Sequence, residues 1–263
     1  MKEKEILFKK IDLLIERVDN YKHESFFDEE KNRRQNKNVS EFKSDNEILK
    51  TFAHLIAYSQ NANSELVEQI LKSGKFDQAF ENFEVDKVVE INPCDIVETS
   101  WENIKGIRQQ AKLFHIVMLA RKMKKIGSLK KLLNEINIPK EIKSELDIVN
   151  FWNGFDELQK TLKNYKIPFF QSTTSLLHFL LDSGYDCVKP DLVVMKVAKK
   201  LKIVTNETGD LNFKKVVKTI QEYALNRNLR PTIVDFYFLI DEGQRGAKKY
   251  LKEELKEEFY SRN

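Results

Sequence analysis

Residues 167–201 read IPFFQSTTSLLHFLLDSGYDCVKPDLVVMKVAKKL, and this stretch contains two apolar helical segments joined by a short link. The first predicted helix covers 174–181 and is ended by Gly184, because glycine readily adopts the backbone conformation that closes a helix. The second begins at Asp191, directly after Pro190, a residue type favoured at helix starts. The stretch therefore predicts a turn, a helix, a loop and a second helix that starts with a carboxylate.

The rest of the chain shows the same helical periodicity. With only 8 Gly and 5 Pro in 263 residues, it has few of the turns that a many-stranded β protein needs. The polar stretch 28–44 is expected to be a loop. Further helices are predicted over 6–18, 44–73 with a polar break at 59–64, 101–124, 129–136, 140–152, 156–165, 213–225 and 232–239. This pattern predicts an all-α fold of ten or so short helices.

The composition excludes several classes of protein. A content of 41% hydrophobic and 33% charged residues supports a packed core and argues against a disordered chain. The formal net charge of +4 is compatible with a nucleic-acid partner without requiring one. Two cysteines are too few for a four-cysteine cluster or zinc site. The sequence contains no membrane span or signal peptide, so we expect a cytoplasmic protein, with a monomer as the default state.

Residues 167–201 resemble the helix-hairpin-helix and Asp module of the HhH-GPD DNA glycosylase superfamily, which includes endonuclease III. That family has a Leu-Pro-Gly-x-Gly-x-Lys-Thr-Ala hairpin, an apolar helix, a glycine and then a catalytic Asp at the start of the next helix. Aligned without a gap, the matching positions here are Ile167-Pro168, Thr174-Ser175, Gly184 and Asp191. The resemblance implies a two-lobed helical fold: a helical lobe over about 46–165, the hairpin and Asp over 166–201, and terminal helices that complete the second lobe.

Three further stretches match the family in the expected order, so the resemblance extends over about 46–244. Residues 55–60, LIAYSQ, resemble the Leu-Ser-x-Gln helix end, whose Gln enters the duplex where the flipped base was. This implies a wedge role for Gln60, which Asn61 could share. Residues 104–112 resemble the Gly-x-x-x-x-Lys-Ala segment and a stretch of 3-methyladenine glycosylase I, and 231–236 resemble a closing helix.

The hairpin departs from the family pattern at three positions. Phe169 and Gln171 replace its two glycines, which leaves open whether it still binds a DNA phosphate and the usual monovalent cation. Thr173 occupies the place of the Schiff-base lysine and has no amine, so the resemblance implies an enzyme without lyase activity. No metal or organic cofactor is implied.

The resemblance implies a monofunctional DNA glycosylase of base excision repair that acts on double-stranded DNA containing a damaged base. An alkylated purine is the favoured substrate, because a cationic base leaves readily. Asp191 is the expected catalytic carboxylate; from local sequence alone it reads as an ordinary helix-start Asp. The residues expected to contact DNA are Gln60, Asn61, Gln171, Ser172, Thr173, Thr174 and Lys189, and those expected to form the base pocket are Tyr58 and Trp101. The alternatives are an inactive DNA-binding protein of the same fold and a helical interaction protein with no DNA role.

Overall fold

A computed structural model describes residues 2–37, 41–60, 62–243 and 247–261. Within these ranges the protein is all-helical, and its β structure is limited to one isolated bridge between Lys22 and Leu251. The described α-helices are α1 (Lys2–Tyr21), α2 (Glu24–Gln35), α3 (Asp45–Tyr58), α4 (Ser64–Lys72), α5 (Lys75–Ala79), α6 (Val85–Val88), α7 (Pro93–Ile104), α8 (Ala111–Ile126), α9 (Leu129–Glu135), α10 (Glu145–Asn164), α11 (Thr173–Asp182), α12 (Leu192–Lys200), α13 (Asp210–Asn226), α14 (Pro231–Asp241) and α15 (Lys256–Ser261).

The chain divides into two compact units. Unit 1 comprises Met1–Val39, Pro139–Phe151 and Leu180–Asn263, and unit 2 comprises Ser40–Ile138 and Trp152–Phe179. The division falls within α10 and within α11, so the hairpin between these helices belongs to unit 2. Asp191 belongs to unit 1.

The core of unit 1 is built around α14. This helix packs against α1, α2, α12 and α13, and most of its side chains are buried. Phe27 of α2 lies against it, with ring centroids 5.0 Å from Phe236 and 5.3 Å from Tyr237. Because α14 is surrounded by other helices, its apolar run PTIVDFYFLID has no polar face.

The core of unit 2 joins α3 to the hairpin. Phe52 of α3 stacks on Phe170 of the hairpin with ring centroids 3.9 Å apart, and it meets the edge of Phe179 of α11 at 4.5 Å. All three rings are buried. The middle of α3 is therefore packed in one core with the hairpin.

The expected loop over 28–44 is wrong for its first part, because α2 continues through Gln35. Tertiary contacts hold this polar segment in a helix. Phe27 is fully buried, and Arg34 donates hydrogen bonds to Glu30 (2.8 Å) and to Asp235 (3.0 Å). Glu30 is local, but Asp235 lies 201 residues away and is not visible in a sequence window.

The structure also divides one predicted helix into two and joins two others into one. The helix expected over 101–124 is interrupted between α7 and α8, where Arg108 has a φ of 82°. Conversely, the separate helices expected over 140–152 and 156–165 form the single helix α10. Gly154 lies inside α10 because a Cβ there would stand 2.8 Å from Ile138 Cγ1. This glycine permits close packing and does not end the helix.

Candidate active site

Asp191 is the N-cap of α12. Its Oδ1 accepts hydrogen bonds from the N–H groups of Val193 (3.0 Å) and Val194 (3.2 Å). These N–H groups lie in the first turn, where a helix has no backbone acceptor for them, and the helix dipole there stabilises negative charge. No donor among the described residues contacts Oδ2 of this half-buried side chain. Asp191 can therefore direct a free carboxylate oxygen at a ligand while Oδ1 holds the helix start.

The segment that leads to Asp191 is anchored by Arg230, the residue before α14. Arg230 Nη2 donates to the carbonyl oxygen of Gly184 (2.8 Å), and Nε donates to Oδ1 of Asp186 (2.7 Å). Nη1 donates to the carbonyl oxygen of Lys37 (2.8 Å). The Arg230 and Asp186 side chains are only 15% and 7% exposed. One largely buried guanidinium thus holds the loop between α11 and α12 in unit 1.

A second carboxyl group, that of Asp235 on α14, is electrostatically coupled to Asp191. Its Oδ2 accepts a hydrogen bond from Arg34 Nη1 (3.0 Å). Burial raises the pKa of Asp235 to about 6; the Arg34 charge opposes this shift and the Asp191 charge adds to it. Lys189 also lowers the pKa of Asp235. The charges of Asp191 and Lys189 thus act on Asp235 within unit 1.

The raised pKa of Asp235 predicts a stability change with pH. The unfolded chain releases this proton near pH 4, whereas the folded protein retains it to about pH 6, so folding becomes less favourable as pH rises through this window. Relative to Asp235→Asn, the wild type should lose up to about 3 kcal/mol of unfolding free energy between pH 4 and pH 7. Urea unfolding of both proteins at several pH values measures this difference. A difference that stays flat or increases with pH would contradict it.

The turn between α10 and α11 has left-handed residues although 165–172 contain no glycine. Phe169, at the position of the first family glycine, has a φ of 72°, and Lys166 has a φ of 54°. A left-handed conformation costs a residue with a Cβ about 1–2 kcal/mol. The hairpin must therefore be held by other contacts.

A buried amide supplies those contacts. Gln159 of α10 is 5% exposed, and its Nε2 donates to the carbonyl oxygen of Gln171 (3.1 Å) and to Oγ1 of Thr173 (3.1 Å). Gln171 Nε2 in turn donates to the carbonyl oxygen of Ile167 (2.6 Å). Side-chain amides thus brace the turn against α10.

The same contacts test the monovalent cation that the resemblance implies. A cation in this turn needs several carbonyl oxygens directed at one point. Here the carbonyl oxygens of Ile167 and Gln171 accept from glutamine side chains, and that of Pro168 accepts from the N–H of Phe170 (2.9 Å). Three carbonyl oxygens of the turn are therefore already directed at protein donors.

Gln159→Leu tests the amide brace. The substitution keeps the side-chain volume but leaves the Gln171 carbonyl and the Thr173 hydroxyl without their donor. We expect the free energy of unfolding to fall by about 1–3 kcal/mol, because buried acceptors lose their hydrogen bonds. Gln69→Leu, on the surface of α4 and exposed, is the control and should change stability by less than about 0.5 kcal/mol. Equal stability of Gln159→Leu and wild type would show that the brace contributes nothing.

The four predicted hairpin contacts differ in accessibility. Ser172 is exposed and caps α11, its Oγ accepting from the N–H of Ser175 (3.2 Å), while Gln171 and Thr174 are half-buried. Thr173 is 0% exposed, and its hydroxyl is turned towards Gln159. Its side chain is therefore not accessible to a phosphate in this conformation, and only its backbone could make the predicted contact. The N–H groups of Thr173 and Thr174 lie in the first turn of α11, as an anion contact requires.

The remaining predicted site residues lie in unit 2, with Gln60 exposed directly beyond α3 at a φ of 55°. Asn61 lies outside the described residues. Tyr58, the last residue of α3, is 37% exposed, and Trp101 of α7 is half-buried. The structure thus groups Asp191 with Lys189 in unit 1, and Gln60, the hairpin residues, Tyr58 and Trp101 in unit 2.

Three residues with buried polar contacts, Arg230, Asp235 and Lys112, were not singled out from the sequence. Asp235 and Arg230 belong to the segment around the closing helix, where the available signal was a carboxylate inside an apolar run. Lys112 ends the quoted 104–112 stretch, and it proves to be buried. Their partners lie far away in sequence, so spacing alone could not assign them.

Comparison with protein-family models, curated proteins and solved structures gives no match to this chain. In the part of the chain that the structure describes, no group of three or more His, Cys, Asp or Glu side chains is placed to hold a metal ion. None of the described helices is both long enough and apolar enough to cross a membrane. A function for this protein is therefore inferred from the geometry around Asp191 and the hairpin.

Proposed function

We propose that this protein is a monofunctional DNA glycosylase of the helix-hairpin-helix type that removes a damaged base, with an alkylated purine as the favoured substrate. The observation that carries the proposal is the placement of Asp191. Oδ1 caps α12, Oδ2 has no donor in the described chain, and Arg230 anchors the preceding loop. A rigidly held carboxylate with one free oxygen suits the stabilisation of positive charge on a sugar.

The reaction in this proposal is hydrolysis of the bond between the base and C1′ of the sugar. The base first leaves the stack, at a cost of a few kcal/mol. As the C1′–N bond breaks, its electron pair leaves with the base and positive charge develops on the sugar ring. The negative charge of Asp191 stabilises this positive charge. Water then bonds to C1′ and gives up a proton to Asp191 Oδ2. A cationic alkylated purine leaves as a neutral base, so no acid is required.

Two features support hydrolysis without a covalent enzyme intermediate. The position of the Schiff-base lysine is occupied by Thr173, whose hydroxyl is buried against Gln159. Schiff-base formation requires an amine, and a strand break by elimination follows from that intermediate. The product in this proposal is an intact strand with an abasic site.

DNA binding is assigned to unit 2 in this proposal. The N–H groups at the start of α11 can donate hydrogen bonds to a phosphate at the positive end of the helix dipole. Exposed Gln60 beyond α3 enters the space left by the flipped base. Because Phe52 packs α3 on the hairpin ring of Phe170, both contacts are held in one core.

The proposal is tested by incubating an alkylated duplex with excess protein and detecting abasic sites. We expect strand scission only after alkali treatment, since the product strand is intact until then. Scission without alkali would contradict the monofunctional assignment. Salt-dependent duplex binding without any base release from alkylated, oxidised or deaminated duplexes would identify a binding protein.

A further inference from the structure

Unit 2 contains a buried ammonium group that the proposed chemistry does not use. Lys112, the second residue of α8, is 1% exposed. Its Nζ donates to three carbonyl oxygens, those of Ala57 (2.9 Å), Ser59 (2.8 Å) and Ile107 (2.8 Å). An ammonium group has three donors, so all of its hydrogen-bonding capacity is used. Burial lowers the pKa of Lys112 to about 8, and the nearby Arg108 charge adds to the effect.

Two of these carbonyls belong to the end of α3. The last carbonyls of a helix have no backbone donor and carry partial negative charge, so a cation placed there satisfies them. Ser59 is held at three atoms: its N–H and Oγ donate to the Ile56 carbonyl (3.1 and 2.6 Å), and its own carbonyl receives Lys112. The chain leaves the core directly after this fixed residue.

Gln60 is the next residue, and its conformation needs external support. It has a φ of 55°, which is unfavourable for a residue with a Cβ. The N–H of Ala62 returns to the Ser59 carbonyl (3.3 Å), so the same oxygen that Lys112 binds also closes the turn around Gln60. Lys112 thus binds the carbonyl oxygen that precedes Gln60 and that also accepts the hydrogen bond closing the turn.

We propose that Lys112 is a positioning residue for Gln60: its three hydrogen bonds fix the end of α3 and the turn after it, so that Gln60 is held ready to enter the duplex. This inference rests on the proposed function, because it takes duplex DNA as the partner. It adds an interior group, without contact to DNA, that determines how the wedge is presented.

The test combines a DNA-dependent and a DNA-independent measurement. Lys112→Met is compared with Lys125→Met, which removes a positive charge from an exposed position of the same helix. We expect Lys112→Met to weaken binding to a duplex with an abasic-site analogue about tenfold, and Lys125→Met to change it less than about twofold. In a Gln60→Ala background, Lys112→Met should have almost no further effect, because the residue it positions is gone. Equal weakening in both backgrounds would overturn the proposal.

Amide hydrogen exchange of Ala62 reports the turn without DNA. We expect Lys112→Met to speed this exchange, and an unchanged rate would overturn the proposal. If the wild type binds no duplex, the proposed function fails and this exchange rate alone decides whether Lys112 anchors the turn. If Lys112→Met does not fold, Lys112→Gln, which retains amide donors, replaces it. We then expect the same changes in duplex binding and in amide exchange, but smaller ones.

Discussion

Arg230→Met is expected to lower the free energy of unfolding by about 3–5 kcal/mol. The guanidinium is the partner of Asp186, and both side chains are largely buried. Its removal leaves a carboxylate in a poorly solvated position and takes donors from the Gly184 and Lys37 carbonyls. Chemical denaturation of the wild type and the variant at pH 7 measures the difference.

The matched control for Arg230→Met is Arg33→Met. Arg33 also pairs with a carboxylate, Glu30 at 2.6 Å, but its side chain is 64% exposed. Exposed ion pairs contribute only about 0–1 kcal/mol, so this variant should be nearly as stable as the wild type. A cost for Arg230→Met no larger than that for Arg33→Met would show that the loop before Asp191 does not depend on the buried pair.

Asp191→Asn is expected to reduce base release by about 10²–10⁴-fold, the size of a general-base contribution. The substitution removes the negative charge of Asp191 but can keep its hydrogen bonds to the start of α12. Asn is as good an N-cap as Asp, so the hydrogen bonds to the N–H groups of Val193 and Val194 can persist. The unfolding free energy should therefore change by less than about 1 kcal/mol, while the group that stabilises the sugar charge is lost.

Asp210→Asn is the control for this variant. Asp210 also lies at a helix start, in the first turn of α13, and is exposed. The substitution removes the same charge from the same unit and should leave base release within about twofold of the wild type, as expected for a surface residue without a role in the site. If both variants release base at the wild-type rate, Asp191 is an ordinary helix cap.

The helices with a continuous apolar stripe could be predicted from the sequence. Predictions over 174–181, 213–225 and 232–239 fall within α11, α13 and α14, because local periodicity and the flanking Gly and Pro define them. The polar break at 59–64 likewise separates α3 from α4. The start of α12 was predicted within one residue from Pro190 and Asp191; the helix begins at Leu192, with Asp191 as its N-cap.

Other features depend on partners that are remote in sequence. The helical state of α2 rests on contacts of Phe27 and Arg34 with α14, about two hundred residues away. The spacing of 167–201 placed Asp191 correctly at a helix start, but it could not show that glutamine amides replace the hairpin glycines. The burial of Lys112 depends on backbone carbonyl groups at the end of α3. Every residue has a carbonyl group, so the sequence does not indicate which of them bind a lysine.

The most direct test of Asp191 as a glycosylase carboxylate is the identification of both products under single-turnover conditions. Wild type and Asp191→Asn, each in excess over an alkylated duplex, are compared by mass spectrometry of the small-molecule fraction and of the strand. We expect the wild type to yield the free purine and a strand with an abasic site, and the folded variant to bind the duplex with little release. Equal release by the two proteins, or no release of any damaged base by the wild type, would contradict the assignment of Asp191 as a glycosylase carboxylate.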